Sequence, residues 1–392
     1  NDTLYIFNSK RMSTSLVKKF FFFIILFSTI QHSFGQDIQN IQLSKNARIS
    51  VITCGTGNES YSLFGHTAVR VNDPANYIDV VYNYGAFDFG TPNFVLKFIK
   101  GDLQYFAVAH SYADFINDYT YDRRSVYEQE LQIPDTLKQK LFENLNKALQ
   151  LENRYYTYKF IDKNCTSMVV DVINKTLDTV AIVKNTDTEI TYRTILYPYF
   201  DNHFYEKLGT SIIFGTKVDG LGTQIFLPFE LQKSLKTVSF KNHPLVKENK
   251  TIIEFEKEVP VSWWNNWYTY ILLLGGILVI NKRSIDVFYL GTLSLLGLFF
   301  IFTGFYSFHK ELAYNYNILL FNPTLLALLY FHFTKNKKWM NNLSLFNLAS
   351  LFVYLIILIN KAHLLVVLPM VVASGVVLTK ILMKNRQVRV QA

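Results

Sequence analysis

Residues 155–175 read YYTYKFIDKNCTSMVVDVINK. An apolar and aromatic run is broken by Asp162-Lys163-Asn164. From Cys165 onward, Met168, Val169, Val172 and Ile173 recur at i, i+3 or i+4, the spacing of a helix face. Asn164 is a good N-cap, since its side chain can accept from the first free backbone N–H groups. The pattern therefore predicts Cys165 at a helix N-terminus, where unpaired N–H groups and the helix dipole favour a thiolate.

Working outward, residues 47–71 read as a strand, a glycine turn (Gly55, Gly57) and a second strand at LFGHTAVRV. Residues 78–84, IDVVYNY, read as a third strand after a turn at Asp73-Pro74-Ala75-Asn76. A symmetric hairpin places His66 opposite Asn83 and Arg70 opposite Asp79, all on one face because side chains alternate along a strand. Arg70 and Asp79 then form an ion pair, and Asn83 holds the His66 ring. Residues 134–150 read as an amphipathic helix opened by Pro134. A cysteine at a helix start, with a histidine on a strand oriented by a polar third residue, is the arrangement of papain-like thiol enzymes. The plainer readings stay open: a lone cysteine is often a small core residue, and a lone histidine often a structural hydrogen-bonder.

The 392 residues are half hydrophobic and 18% charged. Charges crowd residues 37–258, whereas 267–382 is almost wholly apolar, which implies a bilayer. The net charge of +9 does not point to nucleic acid, because many cations flank hydrophobic spans and act as topology signals. Five spans are expected, at 267–281, 286–306, 318–334, 343–360 and 363–382. Lys282, Arg283, Lys335, Lys337, Lys338, Lys384, Arg386 and Arg389 follow alternate spans and belong in the cytoplasm by the positive-inside rule. Residues 37–262 then lie outside, with Trp263, Trp264, Trp267 and Tyr268 as an outer aromatic belt. Residues 10–36 read as a signal peptide, with Met12 the expected start and residues 1–11 upstream sequence. The outer loop 307–323, SFHKELAYNYNILLFNP, is rich in polar groups. His309, Asn315 and Asn317 are expected to face the extracytoplasmic site. Two cysteines, Cys54 and Cys165, could form at most one bridge, and Cys165 is expected to be free for chemistry. No HExxH or CxxC spacing occurs, so neither metal nor cofactor is expected.

The segments YSLFGHTAVRV, VYNYGAFDF, NFVLKFIKGDLQY, RRSVYEQEL, YYTYKFIDKNCTSMVVDVI and TYRTIL resemble the extracytoplasmic domain of the Bacteroidetes lipoprotein N-acyltransferases. The loop around His309, Asn317 and Asn322-Pro323 resembles that family's membrane part. The family is similar to the permuted NlpC/P60 group, in which the histidine strand precedes the cysteine helix. The resemblance implies an α+β papain-like (permuted NlpC/P60-like) domain at 37–262, then an all-α transmembrane bundle at 263–392. It also implies a bacterial inner-membrane location, with 37–262 in the periplasm. By the same resemblance Cys165 is the nucleophile and His66 its base. A membrane phospholipid is the acyl donor and a lipoprotein N-terminus the acceptor. Asn83 is the expected third member. Arg70, Arg193, Asn164, His309, Asn315 and Asn317 are candidate substrate contacts, with ion pairing the competing role for Arg70. Two other functions remain open: a membrane-anchored cysteine peptidase or amidase, and a non-enzymatic tethered binding module.

Overall fold

The computed structural model describes residues 41–256 and 261–390. The signal-peptide expectation for 10–36 lies outside these residues. The first part is an α+β domain built on a seven-stranded sheet. Its strands are β1 (Arg48–Cys54), β2 (His66–Asp73), β3 (Ile78–Ala86), β4 (Gln104–Ser111), β5 (Val126–Leu131), β6 (Tyr155–Thr157) and β7 (Val246–Ile253). They run antiparallel in the order β6-β4-β3-β2-β1-β5-β7. Strand β1, RISVITC, is buried from its second residue to its last, as expected of a central strand covered on both faces.

The helices of this domain include α1 (Phe94–Lys100), α2 (Tyr112–Tyr121), α3 (Asp135–Lys147), α4 (Cys165–Leu177) and α5 (Phe204–Ile213). Helix α3 follows Pro134 and buries Leu141, Phe142 and Leu145. It shares one sheet face with α4: Tyr82 Oη donates to Asn146 at 2.7 Å, and Asn144 donates to Thr176 at 2.9 Å. Val169 and Ile173 of α4 are wholly buried, each stabilising the packing by roughly 1.5–3 kcal/mol. Helix α2 covers the opposite face through Phe115, against Ile52, Ala68 and Val81.

The β2–β3 hairpin differs from expectation by two positions. Asn83 pairs with Ala68, and Arg70 with Val81. The connection is a 3-10 turn, Pro74–Asn76, followed by Tyr77 at φ 55, so its centre lies one residue later than a symmetric reading of Asp73–Asn76. A shift of two keeps every side chain on its face, because the side-chain period is two.

The second part is helical: α6 (Trp267–Ile280), α7 (Arg283–Tyr306), α8 (Thr324–Phe333), α9 (Lys337–Leu358) and α10 (Leu364–Val390). Four segments are long and apolar enough to cross a membrane: 283–306, 310–333, 337–358 and 364–384. The expected first span is a shorter apolar helix of 14 residues, about 21 Å at ~1.5 Å per residue, below the ~30 Å of a hydrocarbon core. The expected third span is broken: two 3-10 turns, Lys310–Leu312 and Tyr316–Leu319, precede α8. Pro323 caps α8, and Asn322 Oδ1 accepts from Thr324 N at 3.0 Å.

The outer loop docks on the α+β domain by capping helix ends. The last carbonyls of a helix have no partner within it. At the end of α5, Asn315 Nδ2 donates to the carbonyls of Ile212 and Ile213, both at 2.9 Å. Asn317 Nδ2 donates to those of Ile212 and Phe214 at 3.0 and 3.2 Å. Next along the chain, Gly215 N donates to Glu311 O at 2.7 Å. A Cβ on Gly215 would stand 1.9 Å from the Ala313 carbonyl, so only glycine permits this approach. At the end of α1, Ser307 Oγ donates to Ile99 O and Phe308 N to Lys100 O, both at 2.7 Å.

These contacts put loop 307–317 on the domain's side of the bundle. The start of α6 lies there too, since Tyr205 N donates to Asn265 at 2.8 Å and Tyr205 and Thr269 share a hydroxyl contact at 2.9 Å. Connectivity then carries Lys282, Arg283, Lys335, Lys337 and Lys338 to the other end, where the positive-inside rule expects them. The shorter α6 starts on the domain's side and ends at Ile280, next to Lys282 and Arg283. Trp263, Trp264, Trp267 and Tyr268 are all exposed at its entry.

Candidate active site

Three elements converge on Cys165. It opens α4 behind Asn164, whose Oδ1 accepts from Thr166 N and Ser167 N at 2.9 and 3.0 Å. Ser167 Oγ accepts from Asn164 N at 2.8 Å, completing a capping box. Asn164 Nδ2 donates to the carbonyls of Phe160 and Phe226 at 2.7 and 2.9 Å. Its side chain is thus committed to holding the helix start.

Strand β2 brings His66 to the thiol, whose ionised form the imidazole favours by its charge. One residue on, Thr67 points to α4, and its hydroxyl meets that of Thr166 at 2.9 Å. Strand β3 supplies Asn83, whose Oδ1 lies 3.1 Å from His66 Nε2. The amide is fixed by its other end: Nδ2 donates to Val81 O at 3.2 Å and to His110 Nδ1 at 3.2 Å. A carbonyl only accepts, so Oδ1 must face His66, and His66 Nε2 must carry the proton. That tautomer leaves Nδ1 as the acceptor for the thiol.

Burial is the largest single influence on Cys165 and opposes ionisation; the charge of the His66 imidazole is the next largest and favours it. With help from Thr67 N–H and the Thr166 hydroxyl, the thiol is held below its ordinary value. Cys54 is the contrast. It is wholly buried, and burial pushes its thiol up to about 12. Both cysteines are free.

Strand β3 bends past the thiol at Gly85, φ 103. A Cβ there would stand 3.6 Å from Cys165 Cβ and 3.9 Å from the Tyr156 hydroxyl. The positive φ favours glycine, and the strand passes within van der Waals reach of Cys165 Cβ there. The Tyr156 hydroxyl is buried without a hydrogen-bond partner among the described residues. Such an orphan costs roughly 1–3 kcal/mol in a folded protein.

The other sequence candidates lie elsewhere. Arg70 makes the expected pair with Asp79 at 2.7 and 2.8 Å, reaches Glu128 at 3.0 Å and covers the Tyr112 ring. Arg193 is 2% exposed. It binds Asp219 at 2.7 Å and the carbonyls of Ser211 and Phe214 at 3.1 and 3.3 Å, which makes it a buried structural pair. His309 Nε2 lies 3.0 Å from Phe98 O. With Asn315 and Asn317, it faces the domain but binds helix ends rather than the cysteine centre. Sequence reasoning passed over His110, Gly85 and Tyr156. The alternation of β4 and the aromatic run at 155–158 were the available signals for the first and last.

Residues 37–197 match a family model described as the Lnb N-terminal periplasmic domain, consistent with a Lnb-type family. The match takes in His66, Asn83 and Cys165. Neither the comparison with curated proteins nor that with solved structures gives a match. A domain of that type and four apolar helices together fit a membrane protein with a periplasmic segment.

Proposed function

We propose that the chain is a papain-like thiol acyltransferase of the inner membrane. It moves an acyl chain from a phospholipid, through a Cys165 thioester, to the N-terminal amine of a diacylglyceryl-cysteine lipoprotein. The observation that carries this reading is the Cys165–His66–Asn83 chain, set beside a membrane-embedded body that holds its domain by helix caps. His66 Nδ1 takes the thiol proton, and the thiolate attacks an ester carbonyl carbon. The developing oxyanion falls to the Cys165 N–H and the Tyr156 hydroxyl, because Asn164 already occupies the N–H groups of Thr166 and Ser167. The ester C–O bond breaks, and His66 returns the proton to the leaving lysophospholipid oxygen. The free α-amine of the lipoprotein then attacks the thioester. His66 accepts the amine proton, the C–S bond breaks, and the thiolate–imidazolium pair is restored. Arg70, Arg193, Asn164, His309, Asn315 and Asn317 support the fold and take no substrate in this scheme.

Purified protein in phospholipid vesicles, given a synthetic diacylglyceryl-cysteine peptide, should convert it to the N-acylated form. Free fatty acid or a cleaved peptide, with no N-acyl product, would favour water as acceptor and a hydrolase or amidase instead.

A further inference from the structure

Helix α1, FVLKFIK, has no buried residue. Val95 and Leu96 are 64% and 65% exposed, and the preceding Phe89 is 70% exposed. A short apolar helix fully in water would be anomalous, and its position explains it. Its last three carbonyls are bound by the loop that leaves membrane helix α7: Phe98 O by His309, Ile99 O by Ser307 and Lys100 O by Phe308. Just before that loop, Phe305 of α7 is 91% exposed, facing where lipid must be. Helix α1 is thereby fixed at the outer end of α7, at the level of the loop 307–309. Lys97 in its last turn suits phosphate head groups, while Lys100 pairs with Asp102 at 2.6 Å.

From α1 an aromatic wall leads to the thiol. Phe89 packs on Phe94 at 5.1 Å, Phe94 on Phe87 at 5.9 Å, and Phe87 on Tyr105 at 5.1 Å. Tyr105 lies 6.4 Å from Tyr156, whose hydroxyl borders Gly85 beside Cys165. We infer that α1 with Phe89 inserts into the outer leaflet beside α7, and that its aromatic wall is the port by which a bilayer phospholipid brings its ester to Cys165. Insertion stands on exposure and placement alone; the port rests on the acyl-transfer reading.

Two measurements separate these. First, Leu96→Cys in a Cys165→Ala background is spin-labelled in full-length protein in phosphatidylglycerol–phosphatidylethanolamine nanodiscs. The label should be more accessible to oxygen than to a water-soluble nickel chelate, whereas a label at Asn242→Cys should show the reverse. Equal chelate access at the two positions would overturn insertion, whatever the protein catalyses. Second, Leu96→Asp should lower acylation of Cys165 by vesicle phospholipid roughly tenfold or more, the effect of placing a charge among acyl chains. Its alkylation by soluble iodoacetamide should stay as in the parent protein. Unchanged acylation from vesicles would overturn the port; a parent protein that alkylates but never acylates would instead sink the acyl-transfer reading.

Discussion

Asn83 Oδ1 lies 3.1 Å from His66 Nε2, although the ladder pairs Asn83 with Ala68. The contact is diagonal, across two positions of the same sheet face, a distance that such side chains reach. Because Asn83 also binds Val81 O and His110, it dictates which nitrogen of His66 carries the proton. Asn83→Ala should therefore lower turnover, but by less than His66→Ala, which removes the proton carrier itself and should cost ~10²–10⁴-fold. Rates for both variants in the vesicle assay check the order; equal losses would mean that Asn83 does more than orient the ring.

The thiol of Cys165 is held below its ordinary value, chiefly by His66 acting against burial, and that of Cys54 is pushed up to about 12. The thiolate is the reacting form. The iodoacetamide rate at Cys165 should therefore reach half its plateau at a pH below the ~8.5 of a free thiol, and Cys54 should stay unmodified. In His66→Ala the largest lowering influence is gone while burial remains, so the midpoint should move upward. A midpoint unmoved by His66→Ala would separate the two residues functionally.

Tyr156 keeps a buried hydroxyl unpartnered beside Cys165. If that hydroxyl receives the oxyanion, Tyr156→Phe should lower the acylation rate by ~10²–10³-fold, the usual loss for one such donor. Phenylalanine keeps the ring packing, and removing an unpaired buried polar atom should leave thermal stability equal or higher. Full activity in Tyr156→Phe would return the hydroxyl to a purely structural position.

Arg193 and Asp219 form a buried pair, with side chains 2% and 5% exposed. Asp219→Ala strands a buried guanidinium, and such losses typically cost about 3–5 kcal/mol. Thermal unfolding of detergent-purified protein should show a clear drop in midpoint. An unchanged midpoint with selectively impaired lipid binding would restore Arg193 as a substrate contact.

Asn315 and Asn317 cap α5 from the membrane side. Alanine at both together should weaken the union of the two parts, leaving the Ile212 and Ile213 carbonyls without their donors at roughly 1–3 kcal/mol each. Acyl transfer and resistance to proteolysis in the 204–215 region should fall together. Lost activity with unchanged protease resistance would point to a role in chemistry.

Much of this was readable in the chain where the signal is local. The Cys165 helix was legible because its N-cap and its apolar spacing lie within ten residues of one another. The face shared by His66, Arg70, Asp79 and Asn83 was legible despite the wrong register, since a two-residue slip preserves parity. The roles of Arg193, Asn315 and Asn317 were not legible. Their partners include backbone carbonyls near residues 211–214, about 100 positions from the two asparagines, and no spacing rule reports a backbone acceptor at that range. The break in the third span was signalled by Pro323, but the turns at 310–319 answer to docking on the α+β domain rather than to hydropathy.

The most direct test of the central claim is the intact mass of the protein after incubation with phospholipid of a single acyl composition and no acceptor. The wild type should gain one acyl chain on Cys165, released by hydroxylamine or by addition of a diacylglyceryl-cysteine peptide, which becomes N-acylated in equal amount. Cys165→Ala should gain nothing and transfer nothing. Absence of the thioester, with Cys165→Ala still producing N-acylated peptide, would contradict covalent catalysis at Cys165.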